Sequence, residues 1–389
     1  MKMLTSRIKF NNFQIIKKNK ISLSSSFFQP NNLFSKFPIL KTLSSNYKYS
    51  FNKKIVKRLN RFSIFRLIGM GGSTLGAEAI YQFLQNKTKK KFIFINNLKP
   101  ILSKNEKNKK ACNLIISKSG NTLETISNSS LLINKNKNIF ITEIKNSNLI
   151  NLANKLKSEV IEHKNYVGGR YSVLSEVGML PAELMGLKEK KFKRFNKLVK
   201  SKHFISNLIS NVNSILTLVK QKKLNSIILN YDENSDNLFK WYQQLVAESL
   251  GKKSKGILPI ISTMPKDNHS LMQLYLDGPK NNFYTFFSVN EKKTEKFKLN
   301  KNLNALKYLN NKSFTEIIRA QKKATEIVFK KEKLPFRSFE IKDRSEETLG
   351  ELFSFFILET ILLGTALKVN PFDQPSVELI KKETKKILS

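Results

Sequence analysis

Glu248 stands in a segment that concentrates unusual residues. It lies in Trp241-Tyr-Gln-Gln-Leu-Val-Ala-Glu248-Ser-Leu-Gly251-Lys, four residues after Gln244. Spacing of i, i+4 puts both polar groups on one helix face, and Gly251 stands where a helix cap is expected. The same pattern also fits a solvated helical charge. Gly168-Gly-Arg-Tyr-Ser172 sets Arg170 beside two glycines, which let a backbone approach a ligand while the guanidinium stabilises a developing oxyanion. An exposed turn is the plainer alternative. Asp267-Asn-His269-Ser precedes Gln273-Leu-Tyr-Leu-Asp-Gly-Pro279, and a lone His is more often structural than catalytic. Asn370-Pro-Phe-Asp-Gln374-Pro-Ser-Val-Glu378-Leu-Ile-Lys381 opens a final helix with Pro375 near its start, and Lys381 is one lysine among many.

Two loops have the makings of an anion site. Gly69-Met-Gly-Gly-Ser73 sits between a strand pattern and a helix pattern, where free N–H groups and the helix dipole favour negative charge. A dinucleotide site would need Gly where Thr74 stands and an acidic end to the next strand, which is Asn96-Asn97. A P-loop would need Lys where Ala77 stands. Glycines that simply let the helix pack closely explain the loop as well. Ser117-Lys-Ser-Gly-Asn-Thr122 offers three hydroxyls and backbone N–H groups near Gly120, which suits a sugar phosphate that is held and not transferred. An ordinary helix cap by Ser119 or Thr122 accounts for it equally.

These groups need a scaffold, and the rest of the chain supplies one. The 389 residues are 40% hydrophobic and 25% charged, a globular composition long enough for two or three domains' worth of core. Short apolar runs at 63–68, 91–96, 113–117 and 138–142 alternate with helical periodicity, which argues for a parallel sheet covered on both faces. Residues 187–223 are Lys-rich and helical. Strands at 224–231, 256–262 and 282–289 then alternate with helices at 237–250 and 269–276, and helices at 313–332, 346–368 and 376–388 finish the chain. The expected architecture is α/β, two halves joined by helices: a polar, irregular segment at 1–60 broken by Pro30 and Pro38, a first domain at 61–187, a helical connection at 188–223, and a second domain with C-terminal helices at 224–389.

Other function classes lose ground. One cysteine, Cys112, excludes a disulfide framework and a Cys-based zinc site. The three histidines, His163, His203 and His269, are too dispersed for a His-rich metal centre. The net charge of +41 would attract polyanions. Lys carries nearly all of it, however, and Lys, Asn, Ile and Phe share A- and T-rich codons, so genome composition explains the charge without a specific nucleic-acid partner. Residues 1–77 lack acidic groups and resemble a transit peptide, but the Lys bias predicts the same. The most apolar stretch, 352–367, is interrupted by Glu359, Thr360, Gly364 and Thr365 and reads as a core helix, not a membrane span.

Six segments, 69–73, 117–125, 167–180, 241–252, 267–279 and 370–381, occur in an order and at spacings that resemble the glucose-6-phosphate isomerase family. The resemblance covers 62–389. It implies two sugar-isomerase (SIS) domains, each a parallel sheet flanked by helices, a cytoplasmic homodimer, a sugar-phosphate substrate, no cofactor and no metal. It also implies isomerisation of glucose 6-phosphate and fructose 6-phosphate through an enediolate. By the same resemblance Gly72, Ser73, Ser117, Ser119 and Thr122 hold phosphate, Gln244 and Gln374 contact substrate, and Arg170 stabilises the enediolate. Glu248 moves the proton, and His269 with Lys381 assists ring opening, the His reaching the site of the other subunit. Asn121 replaces a hydroxyl of the family's Thr-rich loop, Ser376 stands where Gly is usual, and the segment before the first strand is shorter than in many members. The alternatives are a bifunctional phosphoglucose/phosphomannose isomerase and a non-catalytic SIS sensor of sugar phosphates. Joint presence of Glu248, His269 and Lys381 speaks against the sensor.

Overall fold

The computed structural model describes residues 2–15, 28–107, 110–133, 137–291, 294–296, 298 and 304–389. Among them, eleven strands make two sheets: β1 (Lys2–Met3), β2 (Ile8–Asn11), β3 (Ile64–Gly69), β4 (Lys91–Ile95), β5 (Cys112–Ile116), β6 (Asn138–Thr142), β7 (Glu159–Glu162), β8 (Asn225–Asn230), β9 (Leu258–Thr263), β10 (Asn282–Val289) and β11 (Phe336–Ile341).

The first sheet runs β4-β3-β5-β6-β7 and is parallel throughout. Its central strands are apolar runs because helices cover both faces. The chain leaves β3 for one neighbour, β4, and continues from β5 towards the opposite edge. A crevice therefore opens at the carboxyl ends of β3 and β5, the switch point where open α/β sheets take ligands. The loops 69–73 and 117–122 issue from those two strand ends.

The second sheet runs β1-β2-β11-β10-β8-β9, with β8 to β11 parallel and the N-terminal pair antiparallel. Here the structure corrects the expectation that residues 1–60 are irregular. Ile8 pairs with Ile341 and Phe10 with Phe339 across β2 and β11, and the two phenyl rings lie 4.7 Å apart. Ile8 and Phe10 point into the core, while Lys9 between them turns out to Glu340 at 2.6 Å. A helix Pro30–Lys36 and a 3₁₀ turn Pro38–Leu43 follow, each with its proline at the first position, where a missing N–H costs nothing. Positions 16–27 of that segment lie outside the described residues.

Helix Glu346–Ala366 is apolar and long enough to cross a membrane, yet it is buried in the protein core as the sequence suggests. It packs against helices Lys202–Lys220 and Asp236–Leu250. Glu359, at its middle, faces Arg337 of β11, and both side chains are wholly enclosed. The guanidinium also donates to Thr285 Oγ1 and Asn211 Oδ1, each at 2.9 Å, and Tyr242 donates to Glu359 Oε1 at 3.1 Å. A buried ion pair adds little net stability, but removing one partner strands the other charge in a dry interior. Glu359→Leu should therefore cost about 3–5 kcal/mol, and adding Arg337→Met should recover much of the loss. Urea midpoints at constant slope measure both; a double variant less stable than Glu359→Leu would show that the charge is not what the single change strands.

Candidate active site

The two switch-point loops are built differently. In the first, residues 71–73 form a 3₁₀ turn leading to helix Leu75–Phe83. Gly72 lies against the backbone of the next loop: a Cβ there would stand 2.2 Å from the Gly169 carbonyl carbon and 2.5 Å from the Arg170 nitrogen. Only a hydrogen fits. In the second loop Thr122 precedes helix Leu123–Leu132 but does not cap it. Its hydroxyl instead meets Ser117 Oγ at 2.8 Å, which leaves the first-turn amides without a side-chain acceptor. An ordinary cap is therefore not what Thr122 provides. Gly120 takes φ +69 and presses on Ser147, while Asn121 Oδ1 accepts the Asn148 amide at 3.0 Å. The residue that departs from a hydroxyl-rich loop thus fastens that loop to the next helix. Ser119 is exposed, its oxygen accepting from the Asn121 amide at 3.2 Å.

Helix Asp236–Leu250 brings the second domain to this crevice. Leu238, Phe239, Trp241, Tyr242, Leu245 and Val246 are buried, and Gln244 and Glu248 occupy the part-exposed face that their spacing predicts. The Gln244 amide nitrogen lies over Gly71. Trp241 Nε1 donates to the Arg170 carbonyl at 3.1 Å, fixing the 3₁₀ turn Gly169–Leu174 against the helix.

Arg170 is almost fully buried, and every part of its guanidinium is used. Nε donates to Ser249 Oγ at 2.8 Å, Nη1 to Gln374 Oε1 at 2.5 Å, and Nη2 to the carbonyls of Pro371 at 2.5 Å and Asp373 at 3.0 Å. Nη1 also stands 3.6 Å from Glu248 Oε1. Glu248 Oε2 and Gln244 Oε1 are buried without a partner among the described residues. Two acceptors without a donor among the described residues, beside a fixed cation, make a place where a proton can be taken and negative charge held.

The comparisons with known proteins meet this geometry. Residues 52–263 match the family model for phosphoglucose isomerase. The chain belongs to the phosphoglucose isomerase family. It is 35% identical over 386 residues to a glucose-6-phosphate isomerase of Mycoplasmopsis pulmonis, covering 90% of this chain and 89% of that one. With a glucose-6-phosphate isomerase of Methanocaldococcus jannaschii it shares 32% over 357 residues, 86% of each chain. Among solved structures, a glucose-6-phosphate isomerase from Chlamydia trachomatis superposes with a TM-score of 0.70 at 17% identity, over 95% of this chain and 76% of that one, a likeness of fold.

Not every residue suggested by the likeness to phosphoglucose isomerase converges within one chain. Gly72 touches the Arg170 turn, Arg170 reaches Glu248 and Gln374, Gln244 lies over Gly71, and Ser73, Ser117 and Thr122 lie on the two adjoining loops. Lys381, on helix Val377–Leu388, is exposed and pairs with Glu378 at 2.7 Å. It shares a cleft of about 610 Å³ with Ser119 and Thr122 but bonds to neither Glu248 nor Arg170. His269 is exposed just beyond edge strand β9, in a loop held by Asp267, whose carboxylate accepts from Ser262, Ser270 and the Thr263 amide. Among the described residues it forms no side-chain hydrogen bond. The sequence reading overlooked Ser249, Tyr171 and Lys252. Lys252 donates to the Asn370 carbonyl at 2.5 Å and pairs with Asp373 at 2.9 Å, tying the Gln374 loop to the end of the Glu248 helix.

Gly72→Ala tests the contact between the loops. The methyl group must push the Arg170 turn away, and displacement of that order costs about 10² in kcat/KM. Circular dichroism should report a folded protein; wild-type turnover in that protein would mean the close approach does not position Arg170.

Proposed function

We propose that the chain interconverts glucose 6-phosphate and fructose 6-phosphate through an enediolate. One observation carries the reading: among the described residues Glu248 keeps a buried oxygen unpartnered, while its other oxygen lies 3.6 Å from the Arg170 guanidinium. A buried carboxylate serving structure alone spends both oxygens on protein donors. A base must keep one free. Glu248 takes the proton from C2 of the open-chain aldose, the oxygen charge that develops falls beside Arg170, and the proton returns to C1. In the reverse direction the two carbons exchange roles. Such base catalysis supplies about 10²–10⁴ in rate, and the fixed cation adds electrostatic stabilisation without reorganising.

Ser73, Ser117, Ser119 and Thr122 hold the phosphate at the switch-point crevice, assisted by the close approach at Gly72, and Gln244 and Gln374 orient the sugar. His269 and Lys381 act as the acid–base pair for ring opening. The exposure of His269 on a sheet edge supports its delivery to the Glu248 site of a second copy, which makes the working unit a homodimer. Its setting is the cytoplasm. A sensor of sugar phosphates would have no use for an unpartnered carboxylate.

A coupled assay offered glucose, mannose and fructose 6-phosphates separately should show turnover of the first and third. Glu248→Gln should keep fructose 6-phosphate binding, measured by calorimetry, while lowering turnover at least about 10²-fold. Near-normal turnover in the folded variant would falsify the assignment of the base.

The shared site makes a separate prediction. Homodimers of Glu248→Gln and of His269→Ala should each be nearly inactive. A mixed dimer collects both damaged residues in one site and neither in the other, so refolding the two variants together should restore up to about half of wild-type activity. Differently tagged chains verify the exchange by mass spectrometry. If verified mixed dimers stay inactive, His269 does not serve the partner's site.

A further inference from the structure

We propose that Ser249 and Tyr171 form a directional hydrogen-bond relay that positions Arg170 and couples it to the loop 370–374. This rests on the reading of Arg170 as the enediolate's cation and goes one step behind it. Ser249 and Tyr171 are both buried, and neither hydroxyl is needed by the base or the phosphate loops.

The direction of each bond follows from what the groups can do. Arg170 Nε has no acceptor capacity, so at 2.8 Å it donates to Ser249 Oγ. The Pro371 carbonyl can only accept, so Tyr171 spends its one proton there, at 3.1 Å. The remaining bond, 2.9 Å between Ser249 Oγ and the Tyr171 oxygen, must then run from serine to tyrosine. Every proton in the chain Arg170 Nε–H to Ser249 to Tyr171 to Pro371 is thereby assigned. The other branch closes the circuit, because Arg170 Nη2 donates to the same Pro371 carbonyl at 2.5 Å. Burial pushes the Tyr171 hydroxyl up to about 12, so it keeps its proton across the working range.

The consequence is mechanical. Pro371 stands three residues before Gln374, whose side chain accepts from Arg170 Nη1. Phe372 packs on Tyr171 with ring centroids 5.5 Å apart, and Lys252 holds Asn370 and Asp373. The guanidinium therefore points at Glu248 only when the loop that presents Gln374 is seated, and the relay carries that condition to Nε, the one donor facing away from the loop. Ser249 is also covalently next to Glu248. One residue thus sets the spacing of base and cation.

Ser249→Ala and Tyr171→Phe should each lower kcat on the order of 10-fold, the scale of one hydrogen bond lost from a preorganised site, with KM changed much less. Because they break one chain, the double variant should be no slower than the slower single variant; independent effects would multiply. Ser249→Thr, which keeps the hydroxyl, should recover kcat. Thermal midpoints are recorded alongside, and kcat is expressed per folded enzyme. Should the Ser249 variants fail to fold, Tyr171→Phe alone decides, since it removes one oxygen and keeps the ring. Arg170→Lys separates the two readings. If it is impaired while Ser249→Ala and Tyr171→Phe turn over at wild-type rate, the relay is overturned and Arg170 keeps its role. If Arg170→Lys also turns over normally, the reading of Arg170 falls, and the relay with it. Multiplying single effects, or loss of stability without loss of kcat, would reduce the pair to packing.

Discussion

A guanidinium cannot shed its charge, so burying Arg170 commits the protein to satisfying it. No single element can do that. The turn that carries Arg170 belongs to the first domain, Ser249 and Glu248 to a helix of the second, and Pro371, Asp373 and Gln374 to the loop beyond the long core helix. Any one of these missing would leave a charged donor dry and unpaired, at a cost of several kcal/mol. The assembled site is therefore the state in which this ion is tolerable, and domain packing and site geometry become one requirement. The anchor of the second domain uses the same device. Arg337 and Glu359 fix the helix Glu346–Ala366 against β11, and Tyr242, on the Glu248 helix, donates to that Glu. Core and site are linked through one helix.

The parallel strands β9-β8-β10-β11 repeat the order of β4-β3-β5-β6, and the two sheets put that order to different use. In the first, the switch point between β3 and β5 is lined by Ser117, Thr122 and uncapped helix amides. In the second, the strand order reverses between β8 and β10, whose ends lead to Asp232 and Glu291. Arg344, from beyond β11, pairs with both carboxylates across that position. The carboxyl end of the second sheet thus carries an internal ion triad, whereas hydroxyls and uncapped amides line that of the first. What the second sheet's side contributes instead is the helix Asp236–Leu250, which carries Glu248 to Arg170.

Much of this is legible in residue order. The apolar runs of β3, β5 and β6 have one reading because both faces of the sheet are covered, and the i, i+4 spacing of Gln244 and Glu248 holds because a helix is periodic. The failures have equally physical causes. β11 carries Arg337 and Glu340 in six residues, and its apolar pattern is restored only once Glu359 and Lys9 neutralise them. β7, with a Glu at each end, is an edge strand, where charge is ordinary. β2 is four residues long and gains its place from β11, some three hundred residues away. Sequence could not decide whether Thr122 caps a helix or cradles an anion, because both uses want the same residue at the same place. The bond to Ser117 shows only that Thr122 is not the cap. Ser249 and Tyr171 were invisible for a related reason: a hydroxyl that serves a neighbour's geometry has no spacing signature of its own.

The site is also graded in rigidity, in an order that suits its chemistry. Arg170 is clamped from several sides, and in its proposed role beside the enediolate a cation must be held to a fraction of an ångström. Gln374 sits at the end of the last segment firmly held, between the Lys252 contacts and the Phe372 ring, which lies 5.9 Å from Phe37 and 5.5 Å from Tyr171. Beyond it, helix Val377–Leu388 buries no residue, although Leu379, Ile380 and Ile387 give it an apolar side. Lys381 rides on that helix. The segment 370–374 thus separates a buried, bonded Arg170 from a helix whose Lys381 pairs with its own neighbour Glu378. A cyclic sugar and its open chain differ in shape, and one rigid pocket cannot fit both equally. On the roles proposed above, the bonded Arg170 answers to the planar enediolate and the exposed Lys381 to the ring.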